Sequence, residues 1–145
     1  MRYLFLLLFL SGCLFANDGL VNSYGKRVKY SLNKEVAYPD FSIRFIGASR
    51  VSPPNSTLVI TFYDFEVMSE KERNKIRWSS GTGDIAPTEF SVDGKQYFLV
   101  LQADELEMDP GKQWLKEDEM IVWQQEVYTK KLEVVSRERN ARYGR

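Results

Sequence analysis

Carboxylates are the only side chains with acid–base chemistry that this chain carries in quantity. They gather at Asp104, Glu105, Glu107 and Asp109, and again at Glu117, Asp118 and Glu119. Such groups bind calcium or act as general acid and base. An EF-hand loop beginning at Glu105 needs glycine at its sixth position and glutamate at its twelfth, where the chain has Pro110 and Lys116. We therefore expect solvated turns and no metal site, with calcium binding and a carboxylate-dependent hydrolase as alternatives.

Most other catalytic equipment is missing from the composition. The chain has no histidine, which excludes a Ser-His-Asp triad, a Cys-His pair and zinc sites that need imidazole. A single cysteine excludes an intramolecular disulfide and a four-thiolate metal site. The stretch "SSGTGD" at residues 79–84 lacks the spacing of a phosphate-binding loop or a nucleophile elbow. We predict a loop there, no enzymatic activity and no cofactor.

Length and charge set the class of protein. The chain has 145 residues, of which 43% are hydrophobic and 28% charged, as in a single globular domain. Its 20 basic residues balance 20 acidic ones, so the net charge gives no reason to expect a nucleic-acid partner.

The one cysteine follows an apolar run. Arg2 precedes the uninterrupted apolar residues 3–10, "YLFLLLFL". At about 1.5 Å per residue, this run is too short to cross a hydrocarbon core of about 30 Å as a helix. It matches the charged and apolar regions of a secretion signal, and two small residues, Ser11 and Gly12, then lead to Cys13.

The four residues Leu10, Ser11, Gly12 and Cys13 resemble the bacterial lipobox, the processing signal of lipoproteins. This resemblance implies that the Cys13 thiol receives a diacylglycerol and that the chain is cut just before Cys13. It also implies that a fatty acid such as palmitate is then attached to the freed amine. An ordinary signal cut after Ala16 is the rival, and an uncleaved anchor is a third possibility. The lipoprotein resemblance also implies an envelope location facing the periplasm, with Leu14 after the cysteine favouring the outer membrane.

These features divide the chain into four parts. We expect a signal peptide at residues 1–12, a lipidated tether at 13–25, a single β-rich domain at 26–136 and a basic tail at 137–145, frayed and rich in arginine. The tether is inferred from the Asn, Asp, Gly and Ser content of "LFANDGLVNSYG".

Alternation of apolar and polar residues predicts strands in the domain. "KRVKYSL" from Lys26 and "FSIRFIG" from Phe41 to Gly47 alternate with period 2, and "MIVW" at residues 120–123 is a further short strand. "TLVITFYDFEV" at residues 57–67 is apolar on both faces and is therefore expected to be central in its sheet.

The clearest local prediction is a β-hairpin. Asp93-Gly94 suits the positive φ angles of a two-residue turn. The flanking strands present their apolar side chains on one face, at Phe90, Val92, Tyr97, Leu99 and Leu101.

Two segments carry helical signals. Ser69 with Glu72 has capping-box spacing and predicts a short surface helix as far as Ile76. Residues 124–135 fit either period, and their β-branched content favours a strand. The sum is a mainly β fold, an antiparallel β-sandwich or small barrel with one short helix.

Function is inferred from the anchor and from the scarcity of catalytic residues. We expect a membrane-anchored, non-enzymatic binding or assembly-support module with a protein or glycan partner in the envelope. Trp78 and Trp114, beside predicted loops, are the candidate exposed binding residues, whereas Trp123 is expected in the core. The alternative is a periplasmic inhibitor or immunity protein that blocks a wall-degrading or toxic enzyme, with residues 79–84 as its plug.

The lipid anchor is directly testable. Cys13→Ala is expected to abolish incorporation of radiolabelled palmitate and to release the protein from the membrane fraction, because two or three acyl chains supply the membrane affinity. Ser11→Ala keeps a small residue before the cleavage point and should retain the label. Mass spectrometry that finds Asn17 as the mature amino terminus would contradict lipidation.

Overall fold

The computed structural model describes residues 19–80, 87–101, 115 and 118–143. Within these ranges the chain forms eight strands and one helix. In chain order they are β1 (Arg27–Lys29), β2 (Glu35–Ala37), β3 (Ser42–Val51), β4 (Ile60–Met68), β5 (Arg73–Ser80), β6 (Thr88–Val92), β7 (Lys95–Val100), β8 (Glu119–Gln124) and α1 (Gln125–Tyr143).

The strands form two antiparallel sheets of four strands each. The first sheet has the order β1-β8-β7-β6 and the second has the order β2-β3-β4-β5. They pack face to face as a sandwich and do not close into a barrel. The predicted mainly β fold is confirmed, and of the two architectures left open the sandwich is the one adopted.

The core lies between the sheets and follows the alternation in the sequence. Ile43 and Phe65 from the second sheet meet Tyr97, Leu99 and residues of β8 from the first. The predicted hairpin is confirmed as β6 and β7, with its turn at Asp93 (φ 49°) and Gly94 (φ 79°). Aromatic residues make up 14% of the chain, and several of their rings pack against one another in this core.

The central position expected for residues 57–67 is also confirmed, because β4 lies between β3 and β5. Its outward face nevertheless carries Asp64 and Glu66. The strands that are apolar on both faces and covered on both are β7 and β8. The cover on their outer side is α1, which packs onto Val100 and Ile121.

The strand predicted at residues 124–135 is wrong, because this segment forms the first part of α1. Tyr128 is buried, and Val135, seven residues and two turns later, packs against the same apolar cluster over β7 and β8. Burial of this face outweighs the strand preference of Val127 and Thr129. The helix continues to Tyr143, so the described part of the expected frayed tail is helical.

The short helix predicted from Ser69 is also wrong. Ser69 Oγ does accept hydrogen bonds from the Lys71 and Glu72 amides, at 3.2 and 3.1 Å, as a helix cap would. The chain then reverses into β5. Ile76 and Trp78 alternate with polar residues along this strand, and both side chains face the core between the two sheets. The Glu72 carboxylate accepts from the Asp93 amide of the neighbouring turn and from the Asn74 side chain, whereas the Ser69 amide donates to the Glu72 backbone carbonyl.

No helix within the described residues is both long and apolar enough to cross a membrane.

Two glycines allow a controlled test of packing at the start of the domain. Gly25 has φ +73°, and a Cβ there would lie 2.7 Å from the Trp123 ring, whereas Gly94 has φ +79° with open space around it. Gly94→Ala should lower the free energy of unfolding by about 1 kcal/mol for the backbone conformation alone. Gly25→Ala should lose about 1–3 kcal/mol more, because the ring must move. Urea unfolding measures both, and equal losses would show that Trp123 yields without cost.

Candidate functional site

The chain enters the sandwich through a segment that touches both sheets. The backbone and side-chain amides of Asn22 donate to the Ala37 carbonyl in β2, at 2.8 and 3.1 Å. Three residues later, the Gly25 amide donates to the Val122 carbonyl in β8 at 2.8 Å. The end of the predicted tether is therefore fixed to the fold from Asn22 onward.

Asp40 is the polar centre of this entry point. Its carboxylate accepts hydrogen bonds from Lys95 Nζ at 2.8 Å, from the Tyr24 hydroxyl at 2.8 Å and from the Tyr97 hydroxyl at 2.9 Å. The Lys95 hydrogen bond is the main cause that holds the pKa of Asp40 below its usual value, and the two tyrosine hydroxyls add to it. We call this group, together with Asn22 and the turn at residues 38–41, the entry end of the sandwich.

Aromatic rings surround the same carboxylate. The Tyr24 ring stacks on Tyr38 with 5.4 Å between centroids and 4° between planes, and Phe41 meets Tyr97 edge-on at 4.9 Å. Burial is the first cause that raises the pKa of the Tyr24 hydroxyl, and burial also raises that of Tyr38. Both phenols are therefore harder to deprotonate than a free tyrosine.

The opposite end of the second sheet carries a projecting hairpin. β3 leaves the entry end at Ser42 and runs ten residues to Val51, about 33 Å at strand spacing. A bulge between Phe45 and Gly47 shifts its register against β4. The part beyond the bulge, residues 47–62, is named the hairpin arm.

The hairpin arm exposes apolar side chains. Val51 is 49% exposed, Leu58 41% and Val59 49%. The connection between its strands is ordered locally, since the Ser56 amide donates to the Pro53 carbonyl and Ser56 Oγ accepts from the Leu58 amide. Leu20 and Val21, in the entering segment, are exposed to a greater degree, so the hairpin arm is distinguished by its place at the far end of the sheet and its ordered connection.

The rest of the outer face of the second sheet is charged and neutralises itself. One cross-strand row contains Glu35, Arg44, Glu66 and Lys75, so the signs alternate across all four strands. Arg44 forms an ion pair with Glu66, and its hydrogen bond is the first cause that lowers the pKa of Glu66. Arg77 binds both Asp64 oxygens, at 2.6 and 3.1 Å, and covers the Phe62 ring at 4.9 Å.

The structure describes some of the residues that were predicted to bind a partner or to carry the lipid, and not others. Cys13 and Trp114 lie outside the described residues. Trp78 was expected at the surface and this is wrong, because it is an inward-facing residue of β5, only 3% exposed and 5.5 Å from the Tyr63 ring. Trp123 is half-buried beneath Lys131, whose Nζ lies 4.5 Å from its ring.

The predicted acidic cluster is described only at its end. Asp118 lies 3.9 Å from Lys29 and Glu119 lies 3.8 Å from Arg27, so both face strand β1. In the part of the chain that the structure describes, no three acidic residues come together in a way that would hold a metal ion. Of the predicted plug at residues 79–84, only Ser79 and Ser80 are described, and they end β5.

Sequence reasoning missed both ends of the sandwich as sites. Tyr24 was assigned to the tether, and its only signal was an aromatic residue in a polar stretch. Leu58 and Val59 were assigned to the core strand because apolar content does not reveal where a sheet ends. The breaker Ser52-Pro53-Pro54-Asn55 just before them was the available signal for a projecting connection.

Searches of protein-family models, of curated proteins and of solved structures find no match to this chain.

The Asp40 group makes stability depend on pH. Asp40→Asn should lower the free energy of unfolding by about 1–2 kcal/mol at pH 7, because a charged acceptor is lost from three hydrogen bonds. A carboxyl whose folded pKa is lowered contributes stability above its unfolded pKa of about 3.9 and loses it as pH falls through the folded value. The difference between the variant and the wild type should therefore shrink below about pH 4.

Tyr24→Phe serves as the matched control, since it keeps the ring stacking and removes one donor. It should cost less than Asp40→Asn, about 1 kcal/mol. Urea unfolding between pH 2.5 and 7 measures both variants. An Asp40→Asn difference that stays constant over this range would show that the carboxylate charge does not matter.

Proposed function

We propose that the protein is a membrane-anchored envelope lipoprotein whose β-sandwich is a non-enzymatic binding or assembly-support module. Cys13 is its lipid attachment residue, and it faces the periplasm, with the outer membrane favoured. The observation that carries the proposal is the separation of two features: the chain enters at one end of the sandwich, and the exposed apolar hairpin arm lies at the other.

The length of the tether supports this arrangement. Nine residues lead from Cys13 to Asn22, the first of the described residues with a backbone hydrogen bond to the sandwich. Fully extended, they span at most about 30 Å. A lipid on Cys13 would thus keep the entry end near the membrane and direct the hairpin arm away from it, toward partners in the periplasm.

Three of the described carboxylates form structural ion pairs and lack the raised pKa that a general acid requires. A general acid at neutral pH needs a raised pKa. Asp40, Asp64 and Glu66 are each held by a cation, which lowers their pKa values. These groups behave as structural anions, as in an ion-paired sheet surface.

The inhibitor alternative has residues 79–84 as its predicted plug, and the hairpin arm is a second surface for this role. A convex, ordered projection with apolar residues at its tip has the shape that enters a concave enzyme site. If the partner captured through the hairpin arm is an enzyme and its turnover falls on binding, the inhibitor reading is preferred; a partner without turnover favours assembly support.

The binding role can be tested in a bacterium that expresses the full chain. Chemical cross-linking should recover a defined partner with the wild type and lose it with the triple variant Val51→Ser, Leu58→Ser, Val59→Ser, because these side chains form the exposed apolar surface. The double variant Val127→Ser, Val134→Ser removes exposed apolar residues from α1 instead and should keep the partner. Recovery of the same partner from the triple variant, or of none from the wild type, would contradict the proposal.

A further inference from the structure

Along the hairpin arm, no strand in the described part of the chain pairs with the outer edge of β3. β2 pairs with β3 only from Ser42 to Arg44, and the Asn33 amide then binds the Phe45 carbonyl at 2.8 Å. Beyond Phe45, no backbone hydrogen bond within the described ranges reaches this edge. Since β4 occupies only the inner edge of β3, alternate residues of the segment 47–51 present free N–H and C=O groups outward.

The two long edges of this sheet are covered to different degrees, since the open segment of β3 has one charged side chain, Arg50, and the β5 edge has several. β5 carries Arg73, Lys75 and Arg77 along its edge, and the Thr88 hydroxyl donates to the Arg77 carbonyl at 3.3 Å. Charged side chains and covered carbonyls are the usual protection of edge strands. The open segment of β3 reads Gly-Ala-Ser-Arg-Val, with neither lysine nor proline.

We infer that the open edge of β3, residues 47–51, accepts an extended segment of a partner protein as an added strand, in which apolar residues alternate with acidic ones. This inference rests on the proposed function and names the chemistry of its partner. Strand addition supplies affinity through main-chain hydrogen bonds, and the side chains on each face supply specificity.

The two faces of the hairpin arm differ, which sets the required alternation. Val51 lies opposite Ile60 and Ser49 lies opposite Phe62 on one face, so this face is apolar at its outer end, around Val51. Arg50 points to the opposite face with Thr61 as its cross-strand neighbour, and it has no ion-pair partner in the described part of the chain. An added strand would place one row of side chains beside Val51 and the other beside the Arg50 cation.

A peptide pair tests the charge requirement. The probes are two capped six-residue peptides, one alternating valine with glutamate and one alternating valine with lysine. With the purified full-length protein as isolated from the envelope, fluorescence anisotropy should give at least tenfold tighter binding of the glutamate peptide. Hydrogen exchange of the amides in residues 47–51 should slow when it is bound.

Charge reversal provides the decisive variant. Arg50→Glu changes an exposed side chain, so the fold should survive, and its preference should invert toward the lysine peptide. Arg142→Glu reverses an exposed charge on α1 and should leave the preference unchanged. Equal affinity for both peptides, protection at another edge, or self-association through residues 47–51 in sedimentation would overturn the inference. The peptide measurement does not depend on the lipid, so it can be made even if Cys13 is not lipidated. If the peptides do not bind, the strand-addition inference fails and the proposed lipid anchor is unaffected.

Discussion

One carboxylate connects the two sheets with the segment through which the chain enters them. Asp40 lies in the turn between β2 and β3, and it binds Lys95 and Tyr97 of the first sheet and Tyr24 of the entering chain. The charge is partly buried among aromatic rings, so each donor is needed to offset its desolvation. Because Tyr24 and the β7 pair Lys95 and Tyr97 are both distant from Asp40 in the sequence, the same carboxylate joins the two sheets to the entering chain.

The outer faces of the two sheets differ in polarity and in what covers them. The first sheet is apolar on its outer side, and α1 buries that side through Tyr128 and Val135. The second sheet has no such cover among the described residues and instead carries rows of alternating charge. Beyond the bulge at Gly47 this charged surface gives way to the exposed apolar residues of the hairpin arm.

Local patterns predicted the elements whose stability is local or whose burial is one-sided. Asp93-Gly94 specified its turn, and the strands around it kept their period because their alternate residues, such as Phe90 and Tyr97, face the core between the sheets. The errors occurred where a local signal had two outcomes. The Ser69 hydroxyl accepts hydrogen bonds from the following amides in the same way at a helix start and in a tight turn. The packing of Trp78 in the core, against Tyr63 of β4, selects the turn. Residues 124–135 become helical because a sheet face is available for Tyr128 to cover.

The sequence by itself determined the lipobox resemblance at Cys13, the lack of imidazole chemistry, the mainly β class and the β6–β7 hairpin, since composition, spacing and period need no knowledge of distant contacts. The tertiary structure decided which strands are neighbours, which strand edge stays open and which tryptophans are buried. Those properties depend on side chains that meet across long separations in the chain, such as Tyr24 with Asp40 and Tyr97, and on where one strand outlasts its neighbour. Periodicity in a single segment carries no information about either.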